Sequence, residues 1–186
     1  MKQESPPTHL DVKAFAQSAS QADGFYLLSK YDRLMHETSQ LGGERLLNWS
    51  ARGELRHDDV VAAEVWLHLK VEASLPLTCQ RCLGPVDMGV CVDRSFRFVE
   101  GEEAAEIQDE EAEEDVLALN KDFNLSELIE DEVLMTLPVV PVHDVCPVDI
   151  KSSVSDLGFD AALTEKINPF AVLAKLQDKS PGQSRG

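Results

Sequence analysis

The sequence predicts an α+β fold: an antiparallel sheet, helices packed at one face or end of it, and a mobile acidic loop. Three observations carry that prediction. Residues 61–73 and 86–98 alternate apolar and polar side chains over lengths suited to long strands. A turn-rich stretch with Pro76, Gly84 and Pro85 joins them, which makes the pair antiparallel. Residues 124–137 place Leu125, Leu128, Ile129 and Val133 along one side of a helix. A chain of 186 residues, 43% of them hydrophobic, is long enough to bury a core. The domain reading is a disordered start at 1–9, one α+β domain at 10–176 with its acidic loop at 100–115, and a flexible tail at 177–186.

Taken in order, residues 10–20 read as a short helix, with Asp11 near its start and Gly24 beyond it as a stop. Residues 29–40 read as a second helix, with Tyr31, Leu34 and Met35 at helical spacing, broken by Gly42 and Gly43. Residues 44–53 are a weaker strand, with Leu47 and Trp49 on one face. In 61–73, Val65, Leu67, Leu69 and Val71 fall on one face, and Trp66, His68 and Lys70 on the other. In 86–98 the apolar series is Val86, Met88, Val90, Val92, Phe96 and Phe98. The acidic run at 100–115 repels itself and reads as a solvated loop. Residues 116–119 suggest a short strand. Asn124 caps the best helix, with Glu127 completing a capping-box-like pattern, and Pro138 ends it. Glu127, Glu130, Asp131 and Glu132 are expected to face solvent. Residues 151–163 read as loop. Residues 168–176 read as a short helix, with Asn168 as cap, Pro169 at its first position and an apolar stripe of Phe170, Leu173 and Leu176. A helix this short is marginal alone, so that stripe is expected to dock on a partner or on the body.

Composition narrows the function. The net charge is −17, and it is concentrated: residues 99–137 carry one basic and 15 acidic side chains, whereas residues 1–98 carry 11 and 13. Phosphate binding needs lysines and arginines that displace counterions, so the balance as a whole disfavours nucleic acid, and only the N-terminal part leaves it open. The polar start lacks the apolar run of a secretory signal, and no stretch reaches the ~18 apolar residues of a membrane span. The expectation is a cytoplasmic protein without a membrane segment. No glycine-rich phosphate loop, nucleophile elbow or paired catalytic carboxylate stands out, and the protein is expected not to be an enzyme.

Cys79 and Cys82, two residues apart in a predicted turn, form half of a metal site, because both sulfurs can reach one ion. His143 and Cys146 offer the other half. Three sulfurs and one nitrogen suffice for a closed tetrahedral zinc site, so zinc is the candidate cofactor. The other reading is a pair of reduced thiols packed at a turn. Thioredoxin-like chemistry is disfavoured, since that motif opens a helix after a strand and this pair lies between two strands. Lys70, Arg81, Arg94 and Arg97 lie on or beside the predicted ribbon, with Trp66 sharing the face of Lys70. An aromatic side chain among cations can stack bases and hold phosphates, which makes these five the RNA-contact candidates; the alternative is a solvated face with cross-strand charge pairs.

An ordered set of motifs resembles the YceD family of bacteria and plastids. The set is Cys79-Gln80-Arg81-Cys82, the acidic run, Ile129-Glu130-Asp131-Glu132-Val133-Leu134, the stretch from Leu137-Pro138 to His143-Asp144, and Asn168-Pro169-Phe170-Ala171-Val172-Leu173. The resemblance covers residues 79–176. It implies involvement in synthesis, processing or stability of 23S ribosomal RNA, with no enzymatic activity. Some relatives carry further cysteines where this chain has His143 and Cys146. The expected partner is precursor or mature 23S RNA, or, in the alternative, a basic large-subunit ribosomal protein for which this chain is an acidic adaptor or escort.

Overall fold

The computed structural model describes residues 5–56 and 63–149. The chain divides into two compact units, Met1–Val148 and Asp149–Gly186. The predicted helix at 168–176, with Phe170, Leu173 and Leu176, lies outside the described residues, as do residues 57–62.

The first unit is an α+β fold built on a five-stranded sheet in the order β1-β2-β3-β4-β5. Its elements are α1 (Val12–Gln17), β1 (Gln21–Leu27), a 3-10 turn (Leu28–Lys30), α2 (Asp32–Glu37), β2 (Leu46–Arg56), β3 (Glu64–Thr78), β4 (Pro85–Val99), α3 (Glu102–Asp109), β5 (Asp115–Ala118) and α4 (Leu125–Thr136). The first four strands form an antiparallel meander, and β5 runs parallel to β4. Among the described residues no helix is long and apolar enough to cross a membrane.

The alternation sets the register. Val65, Leu67, Leu69 and Val71 of β3 face the core with Leu47, Trp49 and Ala51 of β2 and Val90, Val92, Phe96 and Phe98 of β4. Burying each large apolar side chain contributes about 1.5–3 kcal/mol, so this face drives folding. Helices α1 and α4 close it through Val12, Ala16, Leu125, Ile129 and Val133. At Gly53 an added Cβ would lie 2.8 Å from the backbone of Phe15 and Ala16, so only glycine lets α1 seat against β2.

Capping follows the sequence at two helices. Asp11 accepts from Ala14 N at 3.0 Å, and Asn124 accepts from Glu127 N at 3.2 Å. Helix α2 has no side-chain cap of its own. Instead Glu130, reaching across from α4, accepts from Arg33 N at 2.8 Å and Leu34 N at 3.2 Å, and pairs with Arg33 Nε at 3.0 Å. Glu130 is therefore buried, and Glu132 is buried as well, which corrects the expectation that both face solvent. Glu130 is held because it supplies what α2 lacks.

Several other elements differ from the sequence reading. Gly24 lies inside strand β1 rather than terminating a helix. Strand β3 continues through Pro76 to Thr78. Proline is tolerated there because β3 has run past its registered pairs with β2, which end at Asn48–Glu72, so no ladder donor is lost on that side. The acidic run is not a loop throughout: Glu102–Asp109 form α3, seated on β5 through the buried Ala105. Asp109 accepts from Val116 N at 2.8 Å, and Gln108 bonds Arg97 at 2.7 Å, so two successive side chains at the end of α3 tie it to β5 and β4 and offset the self-repulsion.

Candidate metal centre

The β3–β4 hairpin closes after Thr78 pairs with Pro85, leaving 79–84 as its connection. Cys79 N donates to Gly84 O and Leu83 N to Cys79 O, both at 2.9 Å. Leu83 takes a positive φ of 58°, a strained value for a branched residue that curls the loop. The segment after α4 is brought against this loop. Gln80 N donates to Pro141 O at 2.8 Å, and the Arg81 guanidinium donates to the His143 carbonyl.

The result joins both predicted half-sites. One ligand atom from each of Cys79, Cys82, His143 and Cys146 lies within 4.8 Å of every other. Cys79 Sγ is 3.9 Å from Cys146 Sγ, and Cys82 Sγ is 3.4 Å from His143 Nδ1. Bonds of about 2.3 Å to sulfur and 2.05 Å to nitrogen give tetrahedral edges of about 3.8 Å and 3.6 Å, close to both separations. His143 Nε2 sits 3.0 Å from the Pro85 carbonyl, an acceptor. That contact places the proton on Nε2 and leaves the Nδ1 lone pair toward the sulfurs, the outer-shell arrangement typical of histidine ligands.

The electrostatics favour a bound cation. Burial raises the Cys79 thiol, but backbone N–H groups of Cys82, His143 and Arg81, with the His143 side chain, outweigh it and lower the pKa to about 5. Burial, with the neighbouring sulfurs of Cys82 and Cys79, pushes Cys146 up to about 11. One sulfur is thus a thiolate at neutral pH, and the protonated Cys146 faces it. Four soft donors with a single histidine and no open position fit a structural ion rather than a catalytic one. Cys91 is exposed on the opposite face of β4 and takes no part.

The RNA-contact candidates are placed differently from the stacking platform expected of them. Trp66 does share a face with Lys70, yet it is only 7% exposed. Arg56 lies 4.0 Å above its ring, and the indole N–H donates to Glu64 at 3.0 Å. Lys70 pairs with Asp93 at 2.8 Å, Arg97 with Glu114 at 2.6 Å, and Arg94 with Asp115. Arg94 also lies on the core side of β4, opposite Leu69, and not with Arg97. Arg81 is committed to the His143 backbone. The same sheet face carries a chain of contacts from Glu54 through His68 to Ser95, each 2.7 Å long. It joins β2, β3 and β4 at mid-strand, adding side-chain ties to the ladder.

A family model described as large ribosomal RNA subunit accumulation protein YceD matches residues 67–177. The chain belongs to the YceD family. The matched span contains most of β3, all of β4, α3, β5 and α4, and all four ligand-bearing residues, while α1, β1, α2 and β2 lie before it. A curated YceD relative, the large ribosomal RNA subunit accumulation protein of Haemophilus influenzae, is 31% identical over 112 residues. That alignment covers 59% of this chain and 64% of the relative, so it spans just under two thirds of the relative's length. No solved structure matches this YceD chain.

Proposed function

We propose that this YceD protein is a cytoplasmic, non-enzymatic factor of large-subunit biogenesis, required for synthesis, processing or stability of 23S ribosomal RNA. We further propose that Cys79, Cys82, His143 and Cys146 hold a structural zinc ion. The family match over 67–177 carries the first statement, and it encloses the whole metal centre. The tetrahedral spacing of the donors and the outward-turned Nε2 of His143 support the second. In this reading the ion clamps the 138–148 segment to the β3–β4 hairpin and so fixes one end of the domain. The test is genetic and chemical. A strain lacking the chain should accumulate less 23S relative to 16S RNA, and a Cys79→Ser/Cys82→Ser copy should not restore the ratio. Protein purified without chelator should contain one zinc per chain. An unchanged RNA ratio in the deletion strain would falsify the first statement, and absence of metal from the purified chain the second.

One observation favours contact with a protein over direct contact with RNA. Lys70, Arg94 and Arg97 each stand against a carboxylate, whereas Glu102, Glu103, Glu106 and Glu110 are exposed with no ion pair among the described residues. Neutralising phosphates would require breaking those pairs; meeting a basic ribosomal protein would not. The chain is then an acidic adaptor or escort for a basic large-subunit protein. Crosslinking from cells separates the two routes by whether RNA or protein is recovered.

A further inference from the structure

Helix α4 carries a feature that the metal centre does not explain. Glu132 is 6% exposed, and its carboxylate makes no hydrogen bond or ion pair with the described residues. Arg94 is near enough to act on it electrostatically, but its guanidinium is engaged by Asp115. Burial accordingly raises the Glu132 pKa, with Asp115 and Asp131 adding to the effect and Arg94 opposing it. Tyr31 Oη is the side-chain atom that is both wholly covered and unpartnered among the described residues, so the Glu132 oxygens retain an opening to solvent.

The surroundings of Glu132 point outward. Leu128 and Met135 stand four residues before and three after it, along the same stripe of α4. Leu128 is half-buried and Met135 is 77% exposed, and Val139, just beyond the helix, is 96% exposed. A carboxylate without a partner beside exposed apolar side chains is costly in the free protein and favourable once a cation and an apolar group cover it.

The geometry points to the Leu128–Glu132–Met135 stripe as a docking site for a partner protein segment that presents a lysine or arginine beside an apolar side chain. This deepens the protein-partner reading above and rests on it. The cation would be borne on a side chain and not a bare metal ion, because the described group with metal-ligating convergence is the three-cysteine, one-histidine cluster elsewhere. Nucleic acid does not fit a stripe flanked by Asp115, Asp131 and Glu132.

Large subunits purified from the same cells supply two probes: their extracted basic proteins and their protein-free RNA. The full chain is immobilised as wild type, Glu132→Gln, Met135→Ser and a Glu44→Gln/Glu72→Gln control at exposed glutamates away from α3 and α4, and retained proteins are identified by mass spectrometry. Wild type and control should retain the same identified basic protein, and Glu132→Gln and Met135→Ser should each retain roughly tenfold less, as expected when one side of a buried charge contact or its apolar cover is removed. Met135 is exposed, so its substitution leaves the core intact. Undiminished retention by Glu132→Gln overturns the proposal and leaves the protein-partner reading standing. Equal loss in the Glu44→Gln/Glu72→Gln control also overturns it, since acidity alone would then explain capture. Retention of RNA only, or of neither probe, overturns both. Self-association of the wild type that Met135→Ser abolishes would assign the stripe to a second copy and overturn the proposal likewise.

Discussion

Removing the metal, or one of its ligands, gives the most direct test of how the two halves of the centre are joined. Cys82 and His143 touch across 61 residues of chain. In the unfolded chain, closing a loop of that length costs about 14 cal/mol/K in entropy, or about 4 kcal/mol at 25 °C. The folded chain has met that cost through the β3–β4 hairpin, α4 and the Gln80–Pro141 hydrogen bond. A metal should therefore bind the folded chain about a thousandfold more tightly than the same ligands in the unfolded chain. Saturating zinc then stabilises the fold by about 4 kcal/mol, the ratio of the two affinities expressed as free energy. The assay is urea denaturation of wild type and Cys146→Ala, each with excess zinc and with chelator. Wild type should show the full difference. Cys146→Ala, with three ligands left, should lose most of it. Protection of the Gln80 amide against hydrogen exchange should fall in parallel, because its acceptor lies in the clamped segment. A wild-type difference below about 1 kcal/mol, with zinc bound stoichiometrically, would refute the claim that the ion joins the halves.

Four other outcomes follow from the same contacts. Cys79 ionises near pH 5 and Cys146 keeps its proton to about 11, so metal uptake at neutral pH should expel the Cys146 proton. Affinity should rise with pH across the neutral range, and calorimetry in buffers of different ionisation enthalpy reads the released proton. Glu130→Ala should cost about 2 kcal/mol in urea denaturation, because it uncaps two backbone N–H groups of α2, while the half-exposed Arg33 keeps Asp131. Gly53→Ala should cost about 2–3 kcal/mol or more by the same measure, since the added methyl group meets the α1 backbone and not a movable side chain. Thermal unfolding of Glu132→Gln at neutral pH should be no lower than wild type, with any advantage shrinking as pH falls through the raised folded-state pKa and gone below the ordinary glutamate value of 4.5. A raised folded-state pKa means the wild type recovers stability on protonation.

What could be read from the sequence was what local periodicity and capping encode. The alternation in β3 and β4 and the Asn124 cap of α4 are properties of neighbouring residues, and the structure keeps them. The pairing of Cys79 and Cys82 with His143 and Cys146 was legible as a donor inventory, although the spacer of sixty residues between Cys82 and His143 hid whether the halves meet. What escaped depended on contacts between distant segments. Strand β1 does not alternate in burial, and Gly24 at its centre is buried against β2 rather than marking a stop. Glu130 and Glu132 sit in a run of acids that reads as solvated until α2 and Arg94 are placed beside it. Trp66 follows the parity of the polar face, but Arg56 and Glu64 close over it. Leu83, whose left-handed backbone shapes the cysteine turn, gave no signal, because glycine and asparagine are the residues that usually mark such a position.

The parallel pairing of β5 with β4 changes what the acidic segment is. A chain leaving β4 at Val99 must travel back before Asp115 can line up with Phe96, so residues 100–114 are the return path of a crossover. Excising them would not trim a surface appendage. It would strip β5 from the last 15-residue strand of the meander and bare a row of unpaired backbone donors and acceptors, an open template for other chains. The negative charge is therefore carried on a stretch the sheet needs for solubility in two ways, as like-charge repulsion between molecules and as cover for an edge. It can be diluted by glutamate-to-glutamine exchange at exposed positions, but shortening the segment would exchange a question about partners for one about aggregation.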